Sequence, residues 1–218
     1  MKNNPFGKKG DFITSPNISI LYSEMIAIWV ISFWEYLNCP KQFNLIELGA
    51  GNGEMMKVMV NTFDKFPKFK NSCNIKILEK SILLKKVQKK KIKNKKIKWL
   101  DNLDTLNNLP CIFIANEFFD AFPIKQFIKK KNKWHERYVK FNKQIEHEYC
   151  DIQFDIKKIE KKLKFQISSG QNFIEYSPLV LEYLKNITNK IKLNDGGILI
   201  IDYGYFEKKN KKYYSSSF

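Results

Sequence analysis

Two stretches of this sequence carry residue types that could do chemistry. The first is Glu47-Leu48-Gly49-Ala50-Gly51-Asn52-Gly53, an acid followed by three glycines at every second position. Glycines lack Cβ atoms, so such a backbone can approach a bound molecule closely, and a helix start behind it offers unpaired N–H groups and about half a positive charge. The second is Asn116-Glu117-Phe118-Phe119-Asp120, in which amide and carboxylate oxygens stand beside two aromatic faces. Such groups can orient an N–H and hold a cation, which is what a site handling a nitrogen nucleophile needs. A plain reading remains for each stretch: a tight structural turn for the glycines, and core phenylalanines with a helix-capping Asp120 for the second.

The elements that would position these groups can be read from hydrophobic periodicity. Leu45, Ile46 and Leu48 form a short apolar run of the kind a buried parallel strand shows. Met55, Met56, Met59, Val60 and Phe63 then recur at helical spacing, so the unit is strand, glycine turn, helix. Further strands are expected at Asn74–Glu79, Lys96–Asp101, Cys111–Ala115 and Ile198–Gly204, each delivering an acid or an amide at or near its carboxyl end. In open α/β sheets ligands sit outside those ends. Between them Ser81–Lys93 reads as a lysine-rich helix with Ile82, Leu83 and Val87 inward, and Ser177–Pro178 opens a helix that Asp195-Gly196-Gly197 ends. Ahead of the first strand, Gly7–Ser15 reads as a loop and Ile18–Leu37 as one helix opened by Ser15 and Pro16. Residues 124–167 alternate in the manner of β-hairpins and are expected to lie over the site as an insertion. The domain plan is thus 1–123 for an N-terminal helix and the core, 124–172 for the β-rich insertion, 173–206 for the return to the core and 207–218 for a polar tail.

Composition excludes several function classes. The chain has 218 residues and a formal charge of +17, which would ordinarily suggest nucleic acid. Yet Arg137 is the sole arginine among 39 basic residues, while Lys, Asn, Ile and Phe abound, a pattern of nucleotide bias in the coding sequence. Phosphate recognition favours arginine's planar fork, so no nucleic-acid partner is expected. Cys39, Cys73, Cys111 and Cys150 are far apart and form no C-x-x-C pair, which indicates neither metal site nor disulfide framework. Glu24 and Glu35 in the apolar stretch 18–37 would each cost about 3 kcal/mol in lipid, so no membrane span is expected.

The spacing decides between ligand classes. A dinucleotide fingerprint is G-x-G-x-x-G, whereas this turn reads G-x-G-x-G after an acidic strand end, and a carboxylate there would repel a pyrophosphate. It suits a ligand bearing an ammonium or sulfonium charge. Glu47-Leu48-Gly49-Ala50-Gly51-Asn52-Gly53 resembles motif I of class I S-adenosylmethionine (SAM) methyltransferases. Five segments in order, G-D-F-I-T-S-P-N-I-S, E-L-G-A-G-N-G, N-E-F-F-D-A-F-P-I, W-H-E-R-Y-V and G-G-I-L-I-I-D-Y-G, resemble the MidA family across residues 5–205. That family includes a mitochondrial complex I assembly factor similar to protein arginine methyltransferases, and many bacterial relatives. The resemblance implies an α/β class I SAM-methyltransferase fold, a Rossmann-like sheet with an inserted β-rich substrate region. It implies SAM as cofactor, an arginine-bearing protein as substrate, with a complex I subunit as one candidate, and the bacterial cytoplasm or the mitochondrial matrix as compartment.

On this reading Glu47, Gly49, Gly51 and Gly53 form the cofactor cradle with Asn116. Glu79 would accept hydrogen bonds from a ribose diol, and Asp101 one from an adenine amino group, against the plainer alternatives of a surface carboxylate and a turn aspartate. Transfer would fall to Asn116, Glu117 and Asp120. Members of the family extend beyond both ends of this sequence, so the short chain is expected to bind SAM weakly and methylate poorly, and the open edge of its fifth strand to favour association between copies. A non-catalytic SAM-binding assembly chaperone and a methyltransferase with another substrate stay open as alternatives.

Overall fold

The computed structural model describes residues 15–141 and 147–202. Of the loop expected at 7–15 all but Ser15, which is helical, lies outside the described residues, as do positions 203 and 204 of the expected fifth strand and the tail at 207–218. The chain divides into two compact units, one running to Ala121 and resuming at Lys185, the other Phe122–Leu184.

The first unit is built on a five-stranded parallel sheet. It opens with α1 (Ser15–Ile18) and α2 (Ile20–Tyr36), followed by β1 (Phe43–Leu48), α3 (Glu54–Phe63), α4 (Pro67–Ser72) and β2 (Cys73–Leu78). Next come α5 (Ile82–Ile92), β3 (Lys98–Leu100) and β4 (Cys111–Asn116). The second unit holds β5 (Lys125–Lys130), β6 (Lys133–Phe141), β7 (His147–Gln153), α6 (Lys157–Leu163) and β8 (Phe173–Tyr176). Finally α7 (Pro178–Asn194) leads back to β9 (Gly196–Ile201).

The sheet order is β3-β2-β1-β4-β9 with every neighbouring pair parallel. β1 lies at its centre and every one of its six residues is buried, which is why its sequence shows an apolar run rather than alternation. One face of the sheet, carrying Phe43, Leu45, Ile77, Ile112 and Ile114, packs on Ala27, Val30 and Ile31 of α2 and on Met55, Met56 and Met59 of α3. Each of these side chains larger than Ala27 contributes about 1.5–3 kcal/mol by leaving water.

Several details depart from the sequence reading. The helix expected as one piece from Ile18 is divided at Ser19, whose backbone is extended (φ −138°, ψ 124°), so Ser19 and not Ser15 precedes the long helix. Within α5, Ile82 is 73% exposed and Leu83 is also exposed, while Gln88 and Ile92 are buried and Leu84 half-buried. The reason is helix phase: Ser81 accepts the N–H of Leu84 as N-cap, and from that start the positions four apart, 84, 88 and 92, face the sheet. Phe173–Tyr176, placed by periodicity with the return to the core, is instead the fourth strand of the second sheet, antiparallel to β5. That sheet has the order β7-β6-β5-β8 and is antiparallel throughout. Its β5–β6 hairpin turns at Lys131 and Asn132, both at positive φ (46° and 62°), the two-residue geometry that matches strand twist. The helix α6 in this unit was not legible from the alternating pattern.

Candidate active site

The glycine turn joins β1 to α3 in the form its spacing predicts. Gly49, Gly51 and Gly53 have φ of +66°, +52° and +78°, a region that side chains with a Cβ rarely adopt. At Gly49 the constraint is also steric, because a Cβ there would lie 2.6 Å from Cδ2 of Phe118. The turn is pinned by Gly49 N–H donating to Leu78 O (3.0 Å), Gly53 N–H to Ala50 O (2.7 Å) and Glu54 N–H to Asn52 Oδ1 (3.1 Å). The last bond satisfies one of the donors that open α3.

Glu47 sits in β1 beneath this turn and is 2% exposed. Its Oε2 has no hydrogen-bond partner. Burial, and then the nearby charge of Glu79, push its carboxyl up to about 8. A buried acid left in that state is costly on its own and becomes favourable once a cation reaches it. This is the observation that tests the cofactor: a buried acceptor beside a cradle open to close backbone approach fits a ligand with an ammonium group, and a pyrophosphate does not fit.

Glu79, one residue past β2, is 8% exposed, so it is not a surface carboxylate balancing Lys80. Its Oε1 accepts the Ser81 N–H (2.8 Å) and its Oε2 the Gln88 side-chain amide (3.0 Å). Each carboxylate oxygen has a second lone pair, so the group stays able to accept from a diol. Gln88 is 0% exposed and also donates to Gly51 O (2.9 Å) while accepting from Trp99 Nε1 (2.8 Å). Sequence reading missed it, although a glutamine at the core-facing phase of a lysine-rich helix was a signal available once that phase was known. Asp101 follows β3 with its side chain 79% exposed and ion-paired to Lys85 of α5 at 2.5 Å. The fold thus brings Glu47, the three glycines and Glu79 into one hydrogen-bonded and electrostatic network, and leaves Asp101 exposed and paired to Lys85.

At the end of β4, Asn116 pairs in register with Ile201 of β9, and its Oδ1 accepts a hydrogen bond from the Tyr22 hydroxyl of α2. Burial and the charge of Glu117 raise Tyr22 above the ordinary phenol range. Tyr22 is a second residue that sequence reasoning missed, being 94 residues away in the chain. Glu117 has φ 48° and donates its N–H to Ile201 O at 2.8 Å. A left-handed glutamate is uncommon and costs about 1–3 kcal/mol, strain of a kind that clusters at functional sites. Phe118 lies against Gly49 and meets Phe119 edge-on, with ring centroids 5.2 Å apart, so the β4 exit loop is packed onto the glycine turn. Asp120 is exposed as a residue, yet partial desolvation of its carboxyl, and then the charges of Asp202 and Glu117, raise it above the usual aspartate range. Among the described residues no group of His, Cys, Asp and Glu could hold a metal ion, and no helix is long and apolar enough to cross a membrane. The four cysteines are free thiols.

Comparisons with known proteins bear on the fold and the family. The mitochondrial protein arginine methyltransferase NDUFAF7 of Xenopus laevis is 26% identical over 233 residues, covering 96% of this chain and 53% of that protein. The NDUFAF7 homolog of Caenorhabditis elegans is 30% identical over 229 residues, covering 94% of this chain and 53% of the relative. The chain therefore spans about half the length of these curated relatives. Among solved structures, a superfamily member from Burkholderia thailandensis bound to S-adenosyl-homocysteine superposes with a TM-score of 0.73 at 19% identity, covering 93% of this chain and 52% of that one, which shows a shared class I methyltransferase fold. Residues 25–218 match the family model described as "Putative S-adenosyl-L-methionine-dependent methyltransferase", and the chain belongs to that family.

Proposed function

We propose that this chain binds SAM at the carboxyl ends of β1, β2 and β4 and serves methyl transfer to an arginine side chain of a protein partner. The observation that carries the reading is Glu47, a buried acid with an unpartnered oxygen beneath a glycine turn. Glu47 would face the cofactor's ammonium, the turn from Gly49 to Gly53 its backbone-hugging middle, and Glu79 its ribose. SAM, when bound, supplies an electrophilic methyl group on a sulfonium.

The chain's own residues handle the acceptor. A guanidinium is protonated at neutral pH, so it must be oriented, neutralised and eventually deprotonated. Glu117 accepts its N–H groups and neutralises its charge, held in position by strained backbone and by the bond to Ile201 O. Asn116 is oriented by Tyr22 and offers its amide at the same strand end. Asp120, with its carboxyl raised, is a better proton acceptor than an ordinary aspartate. No covalent intermediate is required. The family resemblance makes a respiratory complex I subunit the leading protein substrate and the bacterial cytoplasm or mitochondrial matrix the compartment.

Glu117→Gln tests this assignment. It should keep SAM affinity within a few-fold and lower turnover by about 100-fold or more, measured as radiolabelled methyl transferred to protein in a lysate of the source cells. Equal losses in binding and turnover would make Glu117 a cofactor ligand, and SAM binding without any labelled protein would favour a non-catalytic assembly role.

A further inference from the structure

We propose that Gln88 is a positioning residue for the cofactor site, a brace that locks the glycine turn and the Glu79 carboxylate into one rigid cradle, and that Trp99 sets the direction in which its amide points. The inference rests on the SAM-binding reading above. Gln88 lies on α5, a helix whose other charged and polar residues are all lysines, and it is the helix's fully buried polar side chain. Its side-chain hydrogen bonds all serve the site: Nε2 donates to Gly51 O at 2.9 Å and to Glu79 Oε2 at 3.0 Å, and Oε1 accepts from Trp99 Nε1 at 2.8 Å.

The direction of the amide follows from chemistry alone. An indole N–H can only donate, while a peptide carbonyl and an ionised carboxylate can only accept. Turning the amide over would set its oxygen against Gly51 O and Glu79 Oε2 and its nitrogen against the indole N–H, losing all three bonds at once. Trp99, on β3, therefore dictates that both donors of Gln88 face the cradle. Packing reinforces the arrangement, since a Cβ on Gly53 would lie 3.2 Å from Cγ and 3.3 Å from Cα of Gln88, so α5 is seated directly on the turn. The two acceptors that Gln88 joins belong to different strand exits, the Gly51 carbonyl after β1 and the Glu79 carboxylate after β2. Fixing their separation before the ligand arrives removes an ordering cost from binding.

The test uses the full chain and S-adenosyl-homocysteine as probe, with the wild type as reference. Gln88→Met keeps the side-chain length and removes all three hydrogen bonds. It should weaken binding by about 10- to 100-fold by isothermal titration, raise KM for SAM by a similar factor and leave kcat at saturating SAM within about threefold, because Gln88 touches no acceptor-handling group. In a Glu79→Gln background the same change should add less than about threefold, since much of its effect passes through Glu79. The Trp99 indole N–H resonance, assigned by its loss in Trp99→Phe, should shift in Gln88→Met. Trp99→Phe itself leaves Gln88 in place but releases its amide, and should weaken binding by about 3- to 10-fold. This variant decides the matter if Gln88→Met does not fold. Native-like folding of Gln88→Met with affinity within twofold of wild type overturns the inference, as does an unchanged affinity in Trp99→Phe. A wild-type chain that binds no S-adenosyl-homocysteine overturns the cofactor reading itself, and this inference with it.

Discussion

The exits of β1 and β2 place two buried carboxylates side by side in opposite conditions. Glu79 arrives fully supported, with a backbone N–H on one oxygen and the Gln88 amide on the other. Glu47 arrives with Oε2 unpartnered and its carboxyl raised to about 8, first by burial and then by Glu79. The difference teaches how one site can be both preorganised and responsive. Support at Glu79 holds geometry before any ligand arrives, whereas Glu47 stores an unfavourable state that a cationic ligand relieves. Folding stability is given up at Glu47 to gain affinity there.

The largest effect should come from removing the frame the two acids share. Gly51→Val forces a branched residue to φ +52° in the middle of the turn, and SAM affinity should fall by more than about 100-fold while circular dichroism stays native. Unchanged affinity would place the cofactor elsewhere and dissolve the comparison.

Next is the stored cost at Glu47, which has a definite sign. Its folded carboxyl is raised from 4.5 to about 8, so the folded state keeps a proton that the unfolded chain has released. The stabilisation is complete below about pH 4.5 and is lost as pH rises through about 8. At about 1.36 kcal/mol per unit the loss is on the order of 3–5 kcal/mol. In denaturant melts from pH 5 to 9 the free wild-type chain should therefore weaken relative to Glu47→Gln, and saturating SAM should reduce that gap. Below pH 8 SAM binding should also release a proton, seen as a calorimetric enthalpy that depends on the buffer's ionisation heat. Parallel pH profiles for the two proteins would mean that Glu47 is not the latent charge described here.

Glu79→Ala should cost about 1.5–3 kcal/mol of SAM affinity through two charge-assisted hydrogen bonds, measured by isothermal titration. An affinity within twofold of wild type would leave Glu79 no part in holding the cofactor and would erase the contrast with Glu47. Asp101→Ala should have the smallest effect, no more than about tenfold in SAM affinity, because a carboxylate exposed to water and already paired to Lys85 gains little from one more hydrogen bond. A loss as large as that of Glu79→Ala would restore Asp101 to the centre of the site.

The parts of this protein legible in its residues are those set by neighbours in the chain. The apolar run of β1, the glycines that need positive φ, the helical recurrence from Met55 to Phe63 and the acids at successive strand ends are all local patterns. A parallel sheet with a ligand turn at its centre follows from them, because buried strands and helix starts have few other stable arrangements. What only the tertiary structure decided is which side chains meet. Tyr22 reaches Asn116 across 94 residues and Gln88 reaches Gly51 across 37, and no periodicity encodes such pairings. The phase of α5 hung on one cap at Ser81, which turned Ile82 outward and Gln88 inward. The strand at Phe173–Tyr176 took its place from a pairing partner nearly 50 residues earlier rather than from its own alternation. Burial decided the rest: a carboxylate at a strand end reads the same in sequence whether it is exposed like Asp101 or enclosed like Glu47, and only enclosure makes its charge costly enough to matter.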